Sequence, residues 1–141
     1  RPPMPNGALS GFNSDLIREP LAGRAYRCPV GPEATMWLCS LPRVIANLRR
    51  IAEAPDAALG AVRSLNAPAL AVSVAQVLAA LGRIDPQAPA RVVFDPSPDP
   101  ALRAQFGAWP RDCSFERATA LGLSADPDPD ALLRSGGAAA A

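Results

Sequence analysis

The chain has 141 residues, about the size of one compact domain, and carries 13 acidic and 14 basic residues for a formal charge of +1. Every basic residue is arginine, and lysine and histidine are absent. Those absences exclude Ser-His-Asp and Cys-His catalysis, histidine-ligated metals, Schiff-base chemistry and the phosphate-loop lysine. The balanced charge and scattered arginines leave no footprint for nucleic acid or an anionic membrane.

Residues 1–7 are rich in Pro and Gly and read as loop. From Ala8 to Glu19 the residues Leu9, Phe12, Leu16 and Ile17 recur at helical spacing, with Pro20 and Gly23 expected to end the helix. Two short strands are expected next, over Arg24–Val30 and Thr35–Cys39. A helix starts near Pro42, carries Val44, Ile45, Leu48, Ile51 and Ala52 as one apolar stripe, and is closed by Pro55. Ala61–Asn66 reads as a strand. Ser73 then caps a helix with Val74, Val77, Leu78 and Leu81 on one face, with Gly82 as its expected stop. Arg91–Phe94 is a β-branched strand leading into a Pro-rich loop, and Ala101–Phe106 is a further helical segment. Ser114 caps a helix with Gly122 at C′, and Asp128 caps a last one with Pro129 in its first turn. Residues 135–141 read as a disordered low-complexity tail. Helices and short strands alternate without a βαβ run long enough for a complete doubly wound sheet, so the pattern predicts a mixed, small α/β lobe.

Candidate chemistry is sparse. Cys28, Cys39 and Cys113 are odd in number and widely spaced, and read as reduced, mostly buried thiols. Asp126, Asp128 and Asp130 alternate as in a calcium loop but are separated by prolines, so they read as a helix-capping loop and not as metal ligands. Trp37 is placed either to pack in the core or to stack on a ligand. Trp109-Pro110-Arg111-Asp112 joins an aromatic face, a guanidinium and a carboxylate; Arg111 there can grip a substrate carboxylate or pair with Asp112. Asn6, Ser10, Asn13 and Ser14 set polar groups around the first helix, where they line a hydroxyl-rich pocket or, for Asn6, cap the helix. No apolar run reaches the roughly 18 residues of a membrane span, so a cytoplasmic location without a membrane partner is expected. The chain opens on Arg1-Pro2-Pro3 and not on methionine, which reads as a truncated sequence.

Four motifs in the same order carry a resemblance. Arg1-Pro2 with Pro5-Asn6 resembles the Arg-Pro loop after the sixth Rossmann strand of extended short-chain dehydrogenases/reductases, the NAD-dependent epimerase/dehydratase group. Met36-Trp37-Leu38-Cys39-Ser40 resembles their Arg-Asp-Tyr-Val-His-Val-Asp-Asp strand, and Leu65-Asn66-Ala67-Pro68 with the Ser73 helix resembles their Tyr-Asn-Val-Gly … Ser strand and helix. Asp112-x-Ser114 with Ala118 and Leu121-Gly122 resembles their closing Asp-x-Ser-Lys-Ala-x-x-x-Leu-Gly helix, with Arg117 in the lysine region. Ile17-Arg18-Glu19-Pro20, Cys28-Pro29-Val30 and Asn66-x-Pro68-x-Leu70-x-Val72-Ser73 are similar to the D-erythronate dehydrogenase-like members.

The resemblance implies that residues 1–134 form the C-terminal, substrate-binding lobe of an extended Rossmann-type dehydrogenase, the Rossmann half being mostly absent. The whole enzyme would use NAD to oxidise a four-carbon sugar acid, with a homodimer as its expected assembly. It places Asn6, Ser10, Trp37 and Arg111 at the substrate and Pro2 beside the cofactor. The family's Tyr-x-x-x-Lys and Gly-rich NAD loop are missing: Tyr26 is followed four residues later by Val30. An isolated chain would therefore be inactive and is not expected to bind NAD alone. A nucleotide-sugar epimerase or dehydratase, and a non-catalytic binding module, are the alternatives. The strand around Met36 lacks the arginine that holds the pyrophosphate in many relatives, which disfavours a UDP-sugar.

Overall fold

The computed structural model describes residues 11–61, 63–94 and 112–136. Among these, helix α1 spans Gly11–Leu21, strands β1 and β2 span Tyr26–Cys28 and Thr35–Leu38, and helix α2 spans Leu41–Ala52. A short α3 (Asp56–Leu59), strand β3 (Leu70–Ser73) and helix α4 (Val74–Ile84) follow. A 3-10 turn (Pro89–Arg91), strand β4 (Val92–Phe94) and helices α5 (Glu116–Ala120) and α6 (Pro129–Gly136) complete the order. This is a mixed α/β lobe with, among the described residues, two separate two-stranded sheets: β1 pairs with β4 in parallel, and β2 with β3 antiparallel.

Period-two alternation sets the second sheet. Met36 and Val72 lie opposite each other and are both buried, while their neighbours Trp37 and Ala71, also a pair, point to the other face. The core gathers Phe12 and Leu16 of α1, Cys28 and Met36 of the strands, Val74, Val77 and Leu81 of α4, and Leu132 and Leu133 of α6. The N-terminus of α4 is closed by a capping box. The Ser73 hydroxyl accepts from Gln76 N–H at 3.2 Å, and the Gln76 side chain accepts from Ser73 N–H at 2.8 Å. Asp128 caps α6, accepting from Ala131 N–H at 2.7 Å.

Several boundaries differ from expectation. Ala61–Asn66 contains no strand among its described residues; the strand lies at Leu70–Ser73, where its register puts Val72 into the core beside Met36. Gly82 does not stop α4, which continues to Ile84. A Cβ at Gly82 would lie 3.2 Å from the Pro89 ring, so the glycine serves close packing of the turn after the helix. Pro20 sits inside the last turn of α1 and is buried, its carbonyl accepting from Arg91 at 2.9 Å. Gly122 does occupy C′ of α5 with φ of 82°. Leu123 N–H bonds to Ala118 C=O and Gly122 N–H to Thr119 C=O, a Schellman termination. Helix α6 runs through Ser135 and Gly136, two residues into the segment read as a tail. Residues 1–10, with the expected helix start at Ala8, and the Ala101–Phe106 segment lie outside the described residues.

Helix α2 turns most of its apolar stripe away from the core: Leu48 is 61% exposed, Val44, Ile45 and Ala52 are also exposed, as is Leu41 at the helix start, and the one buried residue of the helix is Asn47. The polar side anchors the helix instead. Asn47 donates to Ser124 C=O at 2.9 Å and accepts from Ser124 N–H at 3.1 Å, while Arg50 donates to Leu121 C=O at 3.1 Å.

Candidate functional site

Strand β2 ends at Leu38, and two residues later Ser40 starts α2 as its N-cap. Ser40 is buried and held from across the chain: the carboxylate of buried Asp126 accepts from its N–H and its hydroxyl, both at 2.8 Å. The negative charge stands where the helix dipole favours it. This fixes the end of the strand that carries Trp37.

On the outward face of the β2–β3 sheet, Trp37 meets Phe115 edge to face, with ring centroids 5.5 Å apart and an interplanar angle of 81°. Phe115 belongs to the segment before α5, which is tied to the 59–66 connection. Arg117 donates to the carbonyls of Leu59 and Ser64, and Asn66 donates its amide to Cys113 Sγ at 3.3 Å. Two aromatic rings are thus set near an amide and a thiol, Trp37, Phe115 and Cys113 each half-buried. Such a corner offers apolar ring faces to the C–H groups of a small polyol and an exposed amide to its hydroxyls. Of the residues expected at the substrate, the structure places Trp37 in this corner; Pro2, Asn6, Ser10 and Arg111 lie outside the described residues. Phe115 and Cys113 were not singled out as site residues. Their only signal was the Asp112-x-Ser114 motif around them.

The three alternating aspartates do separate jobs. Asp126 holds Ser40, Asp128 caps α6, and Asp130 accepts two bonds from Arg83 of α4 at 2.7 and 2.6 Å. No group of three possible metal ligands occurs among the described residues. Tyr26 is unsuited to act as a base: burial above all, then the nearby Cys28, Asp15 and Glu19, pushes its phenol well above the ordinary value. Burial also raises the Cys28 thiol; burial and then the Asp126 charge raise that of Cys39.

The N-termini of α4 and α2 do not fit a dinucleotide pyrophosphate. At α4, Val74 N–H bonds to Ala34 C=O, Ala75 N–H to Pro32 C=O and Gln76 N–H to Ser73, so these donors are spent. At α2 a buried carboxylate already stands beside the cap. No step through NAD is assigned to these residues.

No family model matches the chain. It is 39% identical over 136 residues to a D-erythronate dehydrogenase of Cupriavidus necator, covering 96% of this chain and 41% of the relative. It is 33% identical over 129 residues to a D-erythronate dehydrogenase of Haemophilus influenzae, covering 89% of this chain and 40% of the relative. In fold it is similar to the crystal structure of a nucleoside-diphosphate-sugar epimerase from Agrobacterium tumefaciens, with a TM-score of 0.84 and 28% identity over 94% of this chain and 39% of that one. The chain therefore spans about two-fifths of the length of the proteins it matches. No helix among the described residues is long and apolar enough to cross a membrane. In sequence and fold the chain is thus similar to part of two D-erythronate dehydrogenases and of a nucleoside-diphosphate-sugar epimerase, in agreement with the resemblance its motifs carry.

Proposed function

We propose that this chain forms the substrate-side portion of an NAD-dependent dehydrogenase acting on a four-carbon sugar acid of the D-erythronate type. The observation that carries this reading is the 39% identity to a D-erythronate dehydrogenase along nearly the whole chain. The Trp37–Phe115 corner with Asn66 offers ring faces and an amide to a small, hydroxyl-rich acid. The chain's own residues would bind and orient the sugar acid and shield it from water. The Tyr-x-x-x-Lys base and the dinucleotide site belong, in this reading, to the portion of the relatives that the chain does not span. Asn6, Ser10 and Arg111 are proposed as further substrate contacts, with Arg111 on the carboxylate, and Pro2 as the residue next to the cofactor. The homodimer is proposed for the whole enzyme.

The test is a chimera in which these 141 residues replace the matching portion of the Cupriavidus necator enzyme. It should oxidise D-erythronate with NAD, and Trp37→Ala should raise KM about tenfold, the size expected for losing one stacked aromatic contact. Turnover of nucleoside-diphosphate sugars in place of D-erythronate would overturn the reading. That outcome would favour the second one, a nucleotide-sugar epimerase, which the fold similarity supports. The β2 sequence Thr35-Met36-Trp37-Leu38 speaks against it, lacking the pyrophosphate-holding arginine of that group.

A further inference from the structure

The connection between α3 and β3 carries Asn66, yet residues 60–69 contain neither helix nor strand among those described. Side chains, and not a ladder, set its place. Arg117 of α5 reaches across with two arms of one planar guanidinium: Nη1 donates to Ser64 C=O at 3.0 Å and Nη2 to Leu59 C=O. A rigid fork of this kind fixes the spacing of its two acceptors as well as binding them, which a flexible ammonium does not do. Ser64 stands two residues before Asn66, and Phe115, whose ring meets Trp37, two residues before Arg117. One side chain therefore joins the backbone that carries the amide to the backbone that carries the ring. The amide is oriented by the same segment. Asn66 Nδ2 donates to Cys113 Sγ at 3.3 Å, and the Cys113 thiol is directed to Ser114 C=O at 3.9 Å, so the sulfur faces the amide as an acceptor. Oδ1, the acceptor of the Asn66 amide, is thereby turned from the sulfur.

We infer that Arg117 is a positioning residue for substrate selection: it sets the Asn66 amide against the Trp37–Phe115 rings, so that Oδ1 accepts a hydroxyl of the sugar acid whose C–H groups lie on the rings. The inference rests on the dehydrogenase reading above. Exposure separates this role from one in the fold. Arg117, Ser64 and Asn66 are all exposed, while α5 and the turn after it are held independently by buried Ala118 and Leu123 and by the bond from Arg50 to Leu121 C=O. When an exposed hydrogen bond is lost, water takes up the partners and stability changes little. The position of a loop without its own ladder changes much more, because nothing else holds it. An amide that reads a hydroxyl needs that hold, since its discrimination comes from aligned hydrogen bonds.

The experiment measures KM and kcat for D-erythronate in the chimera described above, for Arg117→Lys, Asn66→Ala and the double variant. Arg117→Lys should raise KM about fivefold at unchanged kcat, the size expected for one misaligned hydrogen bond. In the Asn66→Ala background it should change KM no further, because the group it positions is gone. A residue that only supports the fold would add its full effect in both backgrounds. The second readout is made on the 141-residue chain by itself. The Asn66 side-chain amide pair in a proton–nitrogen correlation spectrum, identified by its loss in Asn66→Ala, should move in Arg117→Lys as it does in Cys113→Ala. Should Arg117→Lys lower the melting temperature, Arg117→Gln, which keeps one donor arm, gives the same comparison. Equal KM effects in both backgrounds, or an amide pair that stays in place, overturns the inference. A chimera that leaves D-erythronate untouched while the amide pair still moves removes the dehydrogenase reading and leaves Arg117 as the residue that orients Asn66. A working chimera whose KM and amide pair ignore Arg117→Lys does the reverse.

Discussion

Asp126 is a buried carboxylate whose two oxygens accept the Ser40 N–H and hydroxyl, 86 residues away in the chain. Asp126→Ala would leave both donors without an acceptor, and the loss of hydrogen bonds to a charged group should cost about 2–3 kcal/mol, read as a lower urea midpoint at unchanged slope. The same charge acts on Cys39, whose thiol is raised first by burial and then by Asp126. Asp126→Asn removes the charge while keeping an acceptor oxygen, so the Cys39 thiol should titrate lower and react faster with iodoacetamide at mildly alkaline pH. An unchanged rate would show that the Asp126 charge does not act on that thiol. The sequence marks Asp126 as part of a helix-capping loop but does not show which helix start it serves, because its partner Ser40 is near in space only.

At the level of elements, local rules worked best where the determinants are local. The Ser73–Gln76 capping box and the Gly122 termination each need only a few consecutive residues, and both were visible as Ser before an apolar run and Gly after one. Ser73→Ala should destabilise the fold by about 1 kcal/mol in thermal melts. Gly122→Ala should cost about 1–2 kcal/mol for the left-handed backbone alone. It should cost somewhat more in practice, since the new Cβ would lie 2.9 Å from Arg50 Nε and disturb the bond from Arg50 to Leu121. The misplaced strand shows the opposite case. Ala61–Asn66 alternates about as well as Leu70–Ser73, and only pairing with β2 chose between them.

Across the whole molecule, opposite shifts bound the stable pH range. The Arg24 guanidinium, through hydrogen bonds, with Arg18 beside it, holds the Glu19 carboxyl down to about 2 against the opposing effect of burial. Asp85 is lowered by Arg91 and by Gln87 N–H, and Asp130 by Arg83. Carboxylates depressed in the folded state contribute stability above their ordinary values, and it is lost as pH falls toward 2. The Cys28, Cys39 and Tyr26 groups are raised, so their contribution is present below ordinary values of about 8.5 and 10 and is lost as pH rises past them. Urea midpoints against pH should therefore form a plateau from about pH 5 to 8 that falls on both sides. Added salt should flatten the acid side most, because its ion pairs are largely solvent-exposed.

The sequence by itself determined the excluded chemistries, the order of the longer helices and the strands, the caps at Ser73, Gly122 and Asp128, and the family resemblance, all of which depend on residue type and short spacing; the cap read at Ser114 falls instead on Phe115, and the Ser40 cap and the short α3 were not read. Only the tertiary structure decided which side of α2 is anchored. Periodicity shows that a helix has an apolar face but carries no information on what lies opposite it, and here Asn47 found both its partners on Ser124, 77 residues on, leaving Leu41, Ile45 and Leu48 outward. The corner of Trp37, Phe115, Asn66 and Cys113 was likewise assembled by packing across distant segments, which no local spacing encodes.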